Sequence, residues 1–88
     1  MASYRLLIKK SAKKEIRKLP KGYRSKIVNR INDLKNRPIH DAAEKIKGLD
    51  KVYRIRQGVY RIVYSVNKNE LVVLVIKISH RKDSYKSL

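Results

Sequence analysis

The sequence predicts an α+β fold, a two-layer sandwich in the order β-α-α-β-β-β, with a helical hairpin packed on one face of a mainly antiparallel sheet. Three observations predict it. Two stretches with apolar residues at helical spacing follow one another with only a proline–glycine break between them. Three runs rich in valine, isoleucine and tyrosine come next, at hairpin spacing. A short apolar run precedes them all. An antiparallel hairpin series after a helix pair builds one sheet with both helices on the same face.

Tyr4 to Ile8 reads as the first strand. Ser11 is placed as a helix N-cap, followed by Ala12, Ile16 and Leu19 at helical spacing, and Pro20 ends that helix. Lys21-Gly22 is a tight break. A second helix runs from about Tyr23 to Asn36, with Tyr23, Ile27, Ile31 and Leu34 on one stripe. Lys13, Lys14, Arg17, Lys18, Lys26, Arg30 and Lys35 fall on the outer faces. Residues 38–51 carry the weakest signal, and Asp41 to Lys47 reads as a helical turn or an irregular approach to the sheet. The strands Val52–Arg56, Val59–Val66 and Leu71–Ile78 follow, joined by turns at Gln57-Gly58 and Asn67-Lys68-Asn69. The last residues form a short polar tail expected to lie against the sheet.

Composition narrows the function. The chain of 88 residues makes one domain, residues 1–88, and a chain this short buries roughly 60–65% of its unfolded surface, which leaves room for stabilisation by a partner. It has no cysteine, which excludes disulfides and thiolate metal sites. The longest apolar run, Leu71 to Ile76, is too short to cross a bilayer, so a soluble, cytoplasmic protein is expected. Twenty-four Lys and Arg against seven Asp and Glu give a formal charge of +17. Self-repulsion of that size fits a protein that binds a polyanion, nucleic acid first, or an acidic protein partner.

The hairpin around Gln57-Gly58 concentrates the candidate site. With those two residues as the turn, Arg54 lies opposite Arg61. Alternation puts Tyr53, Ile55, Tyr60, Ile62, Tyr64 and Val66 on the helix face, and Arg54, Arg56 and Arg61 on the other. Like charges across a ladder repel, no acidic residue is near in sequence, and a phosphate would relieve the strain. A chain this basic can equally carry them as solvated strand residues. The tail adds His80, Arg81, Lys82 and Tyr85, and a tyrosine there could stack on an RNA base. No glycine-rich phosphate loop, metal-ligand spacing or nucleophile–base pair is present, so no cofactor and no metal are expected.

The runs Lys47-Gly48-Leu49 and Val52-Tyr53-Arg54-Ile55-Arg56-Gln57-Gly58-Val59-Tyr60-Arg61-Ile62-Val63-Tyr64 resemble the central signature of the RelE/ParE toxin superfamily. The ending Ile78-Ser79-His80-Arg81-Lys82-Asp83-Ser84-Tyr85 is similar to its C-terminal motif. The likeness implies the RelE-like sandwich over essentially the whole chain. It further implies a toxin of a type II toxin–antitoxin system, held inactive by a cognate acidic antitoxin. A RelE-type toxin would be a ribosome-dependent endoribonuclease (an mRNA interferase) that cuts A-site codons by attack of the RNA's 2′-hydroxyl on the adjacent phosphate. Its partners would be mRNA and the ribosome, with no membrane involved. Catalytic roles would fall on Arg54, Arg56, Arg61, Arg81, Tyr85 and His80, and RNA contacts on Lys13, Lys14, Arg17, Lys18 and Lys82.

Some members carry lysine where this chain has Arg54 and Arg56. Arginine is a poor general base but can stabilise a phosphorane. His80 is then the natural candidate proton acceptor, with a perturbed Arg56 or a group of the ribosome as alternatives, although alternation puts His80 and Arg81 on opposite faces if the last strand reaches them. Two other functions stay open: a ParE-type toxin that inhibits gyrase, and a non-catalytic basic RNA-binding module.

Overall fold

A computed structural model of the chain describes residues 3–81. Lys82 and Tyr85 therefore lie outside the described residues. Strand β1 (Arg5–Ile8) leads into helices α1 (Lys10–Arg17) and α2 (Lys21–Asp33). Strands β2 (Glu44–Lys45), β3 (Val52–Gln57), β4 (Tyr60–Asn67) and β5 (Val72–His80) follow. The sheet order is β1-β5-β4-β3-β2. All neighbours are antiparallel except β1 and β5, which run parallel. The α+β sandwich is as expected, with one added strand: residues 44–45 pair with β3 where a helical turn or irregular segment was read.

The helix boundaries differ from the sequence reading for local reasons. The N-cap of α1 is Lys9, not Ser11, and it makes no side-chain cap hydrogen bond. Parallel pairing holds the chain extended up to Lys9, whose N–H donates to the Val75 carbonyl, so the helix starts two residues earlier than a Ser11 cap would set it. Pro20 is the N-cap of α2 rather than only the end of α1. Its fixed φ suits the entry to a helix, and Lys21-Gly22 forms the first turn instead of a break. The Arg24 guanidinium donates to the carbonyls of Arg17 and Leu19 at 3.3 and 3.2 Å, covering the carbonyl end of α1.

The core lies between the helices and one sheet face. Ala12, Leu19, Ile27, Ile31 and Leu34 meet Ile55, Ile62, Tyr64, Val66, Val73, Val75 and Ile78. Tyr23, expected on the buried stripe, is 43% exposed. A β-bulge between Val63 and Tyr64 sets the phase of β5: Tyr64 pairs with Val75 and Val63 with Lys77, leaving Ile76 as the extra residue. The inward residues of β5 thus change from odd (Val73, Val75) to even (Ile78, His80).

Two polar groups tie the layers together. Beyond Val75, no strand among the described residues pairs with β5 on its β1 side. There Glu15 of α1 accepts the Ile78 N–H at 3.0 Å, so a helix side chain replaces the missing ladder partner. The Tyr64 hydroxyl donates to the Pro38 carbonyl at 2.8 Å and anchors the segment leaving α2. Burial, with the nearby Tyr53 phenol adding to it, pushes the Tyr64 pKa up from 10.0 to about 12.

Replacing Glu15 by Leu leaves a half-buried N–H without an acceptor, and urea denaturation should show a loss of about 1–3 kcal/mol. Between pH 10 and 12 the folded state keeps the Tyr64 proton while the unfolded chain releases it. Its contribution is complete below pH 10 and is lost as pH rises towards 12. Tyr64→Phe should cost about 1 kcal/mol at pH 7 and flatten the alkaline fall in stability relative to wild type.

Candidate nucleic-acid interface

The face of the sheet turned away from the helices holds the arginines, and turn chemistry decides which of them meet. The observed register pairs Gln57 with Tyr60, Arg56 with Arg61, Ile55 with Ile62 and Arg54 with Val63. The turn residues are therefore Gly58 and Val59, not Gln57 and Gly58. Gly58 takes φ +63°, which a two-residue turn with glycine first requires and which a side chain would resist. The expected Arg54–Arg61 opposition is corrected to Arg56–Arg61. Both registers put the same residues on the same face, so the arginines still share a side. The second pair from a two-residue turn is of the non-hydrogen-bonded type, in which side chains stand closest.

Arg56, Arg61 and Arg81 line one depression of about 310 Å³, together with Gly58, Val59 and Tyr60. The Arg81 N–H donates to the Val59 carbonyl at 2.7 Å, which ties the end of β5 to the hairpin turn and holds Arg81 over the site. Val63 and Ser79 are buried beneath the arginines on this face.

A carboxylate distant in sequence belongs to the same cluster. Glu44 pairs with Arg54 across the β2–β3 ladder. Its oxygens lie 3.8 Å from Arg54 Nη2 and 3.7 Å from Arg56 Nε. The Glu44 side chain is 53% exposed and both contacts are long, so the pairing is weak and open to solvent. Arg54 Nε is buried with no hydrogen-bond partner among the described residues.

His80 stands elsewhere. It pairs with Tyr60 on the helix-facing side, and the two rings meet edge to face at 5.4 Å. Tyr23 continues this row, 5.3 Å from Tyr60. The structure thus separates His80 from the arginine face, as alternation along β5 requires. Lys13, Lys14, Arg17 and Lys18 are all exposed along α1 and its end, apart from the arginine depression. Arg30, read as an outer-face residue, turns towards the sheet and donates through Nε to Gln57 Oε1 at 3.0 Å. Glu44 is the site residue that sequence reasoning missed. A two-residue edge strand leaves no periodic signal, and only its pairing with β3 brings the carboxylate in.

An open sheet face of clustered guanidinium groups, with two helices packed on the opposite face, defines a small basic α+β protein. A family model described as the ParE toxin of the type II toxin–antitoxin system parDE matches residues 6–85. The chain belongs to this family of toxins, within the RelE/ParE superfamily. It is 34% identical over 83 residues to the putative toxin RelE1 of Methanocaldococcus jannaschii, covering 91% of this chain and 92% of that one. It superposes on the archaeal RelE–RelB complex of Pyrococcus horikoshii with a TM-score of 0.81 at 30% identity, covering 90% of this chain and 96% of the other. The intact Escherichia coli RelBE toxin–antitoxin complex gives a TM-score of 0.78 at 30% identity, with coverages of 89% and 96%. No helix among the described residues is long and apolar enough to cross a membrane.

Binding of single-stranded RNA to this face should weaken steeply with salt. Each arginine of the depression replaced by alanine should reduce the slope of log affinity against log salt by about 0.7, measured by fluorescence anisotropy.

Proposed function

We propose that this toxin is a ribosome-dependent mRNA endonuclease, neutralised by an acidic antitoxin, that cuts A-site codons through the RNA's own 2′-hydroxyl. The observation that carries the reading is Arg56 directly opposite Arg61, with Arg81 lining the same depression. Three guanidinium groups converging on one place are suited to the non-bridging oxygens of a phosphodiester as they gain charge. The RelE–RelB complexes among the similar structures support an antitoxin partner here as well.

In the proposed step the 2′-hydroxyl gives its proton to a base as its oxygen attacks the adjacent phosphorus. The bond from phosphorus to the 5′-oxygen breaks, and that oxygen leaves with a proton from water. The products are a 2′,3′-cyclic phosphate and a free 5′-hydroxyl. Arg56, Arg61 and Arg81 stabilise the phosphorane, while Arg54 holds the base in place. Glu44 is assigned as that base, because it is the carboxylate within reach of Arg54 and Arg56 on the substrate face. His80 is assigned to packing beside Tyr60, on the far side of the sheet. Tyr85 is assigned to the catalytic set, where its ring could stack on a base, and Lys82 to RNA contact. Lys13, Lys14, Arg17 and Lys18 would contact ribosomal RNA, and the toxin would act in the cytoplasm.

The second reading is gyrase inhibition, favoured by the family model's own description as a ParE toxin. Expression in a bacterial host with mapping of mRNA 5′ ends separates the two. Cuts inside codons that need translating ribosomes support the nuclease, whereas DNA damage with intact mRNA supports the gyrase inhibitor. Arg61→Ala should lower cleavage on the order of a hundredfold or more without loss of fold. Full toxicity in that variant would overturn the site. Glu44→Gln should lower cleavage by a similar factor while RNA binding holds or tightens, since a negative charge leaves the phosphate site. Unchanged cleavage would remove Glu44 as the base.

A further inference from the structure

At the opposite end of the sheet, on its helix-facing side, Lys45, Lys51 and Lys68 surround Tyr53 in a second depression of about 330 Å³. Asp50, Asn69 and Val66 complete its lining. We propose that this depression is a second RNA-binding site, which holds a backbone phosphate and seats a base against Tyr53. The proposal rests on the RNA-binding reading above and extends it to a different face.

Four observations carry it. Three ammonium groups share the depression with one carboxylate, and none of the three lysines forms an ion pair among the described residues. Tyr53 is half-buried and stacks on Tyr64 at 5.9 Å, 26° from parallel, so its ring is braced as a platform. An aromatic ring beside cations is the usual equipment for gripping a single strand without reading its sequence.

The lysines sit on fixed backbone. Lys51 has a left-handed φ of 64°, costly for a residue with a side chain, and its carbonyl accepts the Val66 N–H at 2.9 Å. Lys68 and Asn69 sit in a turn where Asn67 Oδ1 accepts the N–H groups of Asn69 and Glu70 at 3.0 and 2.9 Å. Cations on preset backbone lose less entropy when they bind.

The fourth observation is continuity with the arginine site. Glu44 and Lys45 are neighbours on β2, an edge strand of two residues, and pair with Arg54 and Tyr53 in turn. Alternation puts one pair on each face. A strand leaving the arginine face can therefore pass around this short edge and enter the lysine depression. Along β4 the two sites, at Arg61 and Val66, are roughly 17 Å apart. A trinucleotide in the arginine depression leaves the second site empty, and a longer RNA fills both.

The test uses the full chain with a 2′-O-methyl dodecanucleotide and a 2′-O-methyl trinucleotide, neither of which can be cut. The double variant Lys51→Gln/Lys68→Gln should bind the dodecanucleotide about tenfold more weakly and lower its salt slope by about 1.4, two phosphate contacts at 0.7 each. Its trinucleotide affinity should match wild type. In wild type the Tyr53 ring resonances should shift with the longer RNA and not with the shorter. Equal affinity and slope in variant and wild type, with Arg61→Ala still weakening both RNAs, would overturn the second site alone. Failure of wild type to bind either RNA would overturn both readings. A lysine effect that appears only with an acidic peptide would mark the depression as a protein contact and reject the RNA site.

Discussion

Two arginines facing each other across a β-ladder are the constraint around which this molecule is arranged. Arg56 and Arg61 cannot move apart, because Ile55 and Ile62 beside them are fully buried in the core and hold the register. Core packing on one side of the sheet thus enforces charge crowding on the other. Glu44 relieves part of it from a weakly held edge. A carboxylate at 3.7–3.8 Å and half in solvent offsets the charge of Arg54 and Arg56 only weakly.

The same coupling explains how an 88-residue chain with a charge of +17 folds. Its apolar residues are concentrated between the helices and one sheet face. Polar anchors take over where the sheet ends: Glu15 on the free edge of β5, Tyr64 on Pro38, and Arg24 on the last carbonyls of α1. Binding of an acidic partner, as proposed above, would lower this self-repulsion and add stability.

Much of this was legible in the sequence, for physical reasons. Alternation in the Tyr53–Val66 region assigned the two faces correctly even with the turn misplaced by one residue, because that shift preserves parity. The partner of each arginine was not legible. It depends on Gly58 occupying the first turn position rather than the second. Helix starts were misread where tertiary pairing overrode a local cap, as at Ser11. That Arg56 and Arg61 share a face was legible from alternation, but Arg81 joins them only because of the bulge at Ile76, which the sequence does not signal, and Glu44 was hidden because an exposed Glu-Lys dipeptide carries no strand signal.

The bulge at Ile76 has a wider meaning. It acts as a phase-shifter: residues before it and residues after it obey opposite rules for which way they look. Were β5 to run through Ile76 in regular alternation, Arg81 would turn towards the helices and His80 would face the other way. In this architecture, one inserted amino acid decides which of two neighbouring side chains is presented to the outside world.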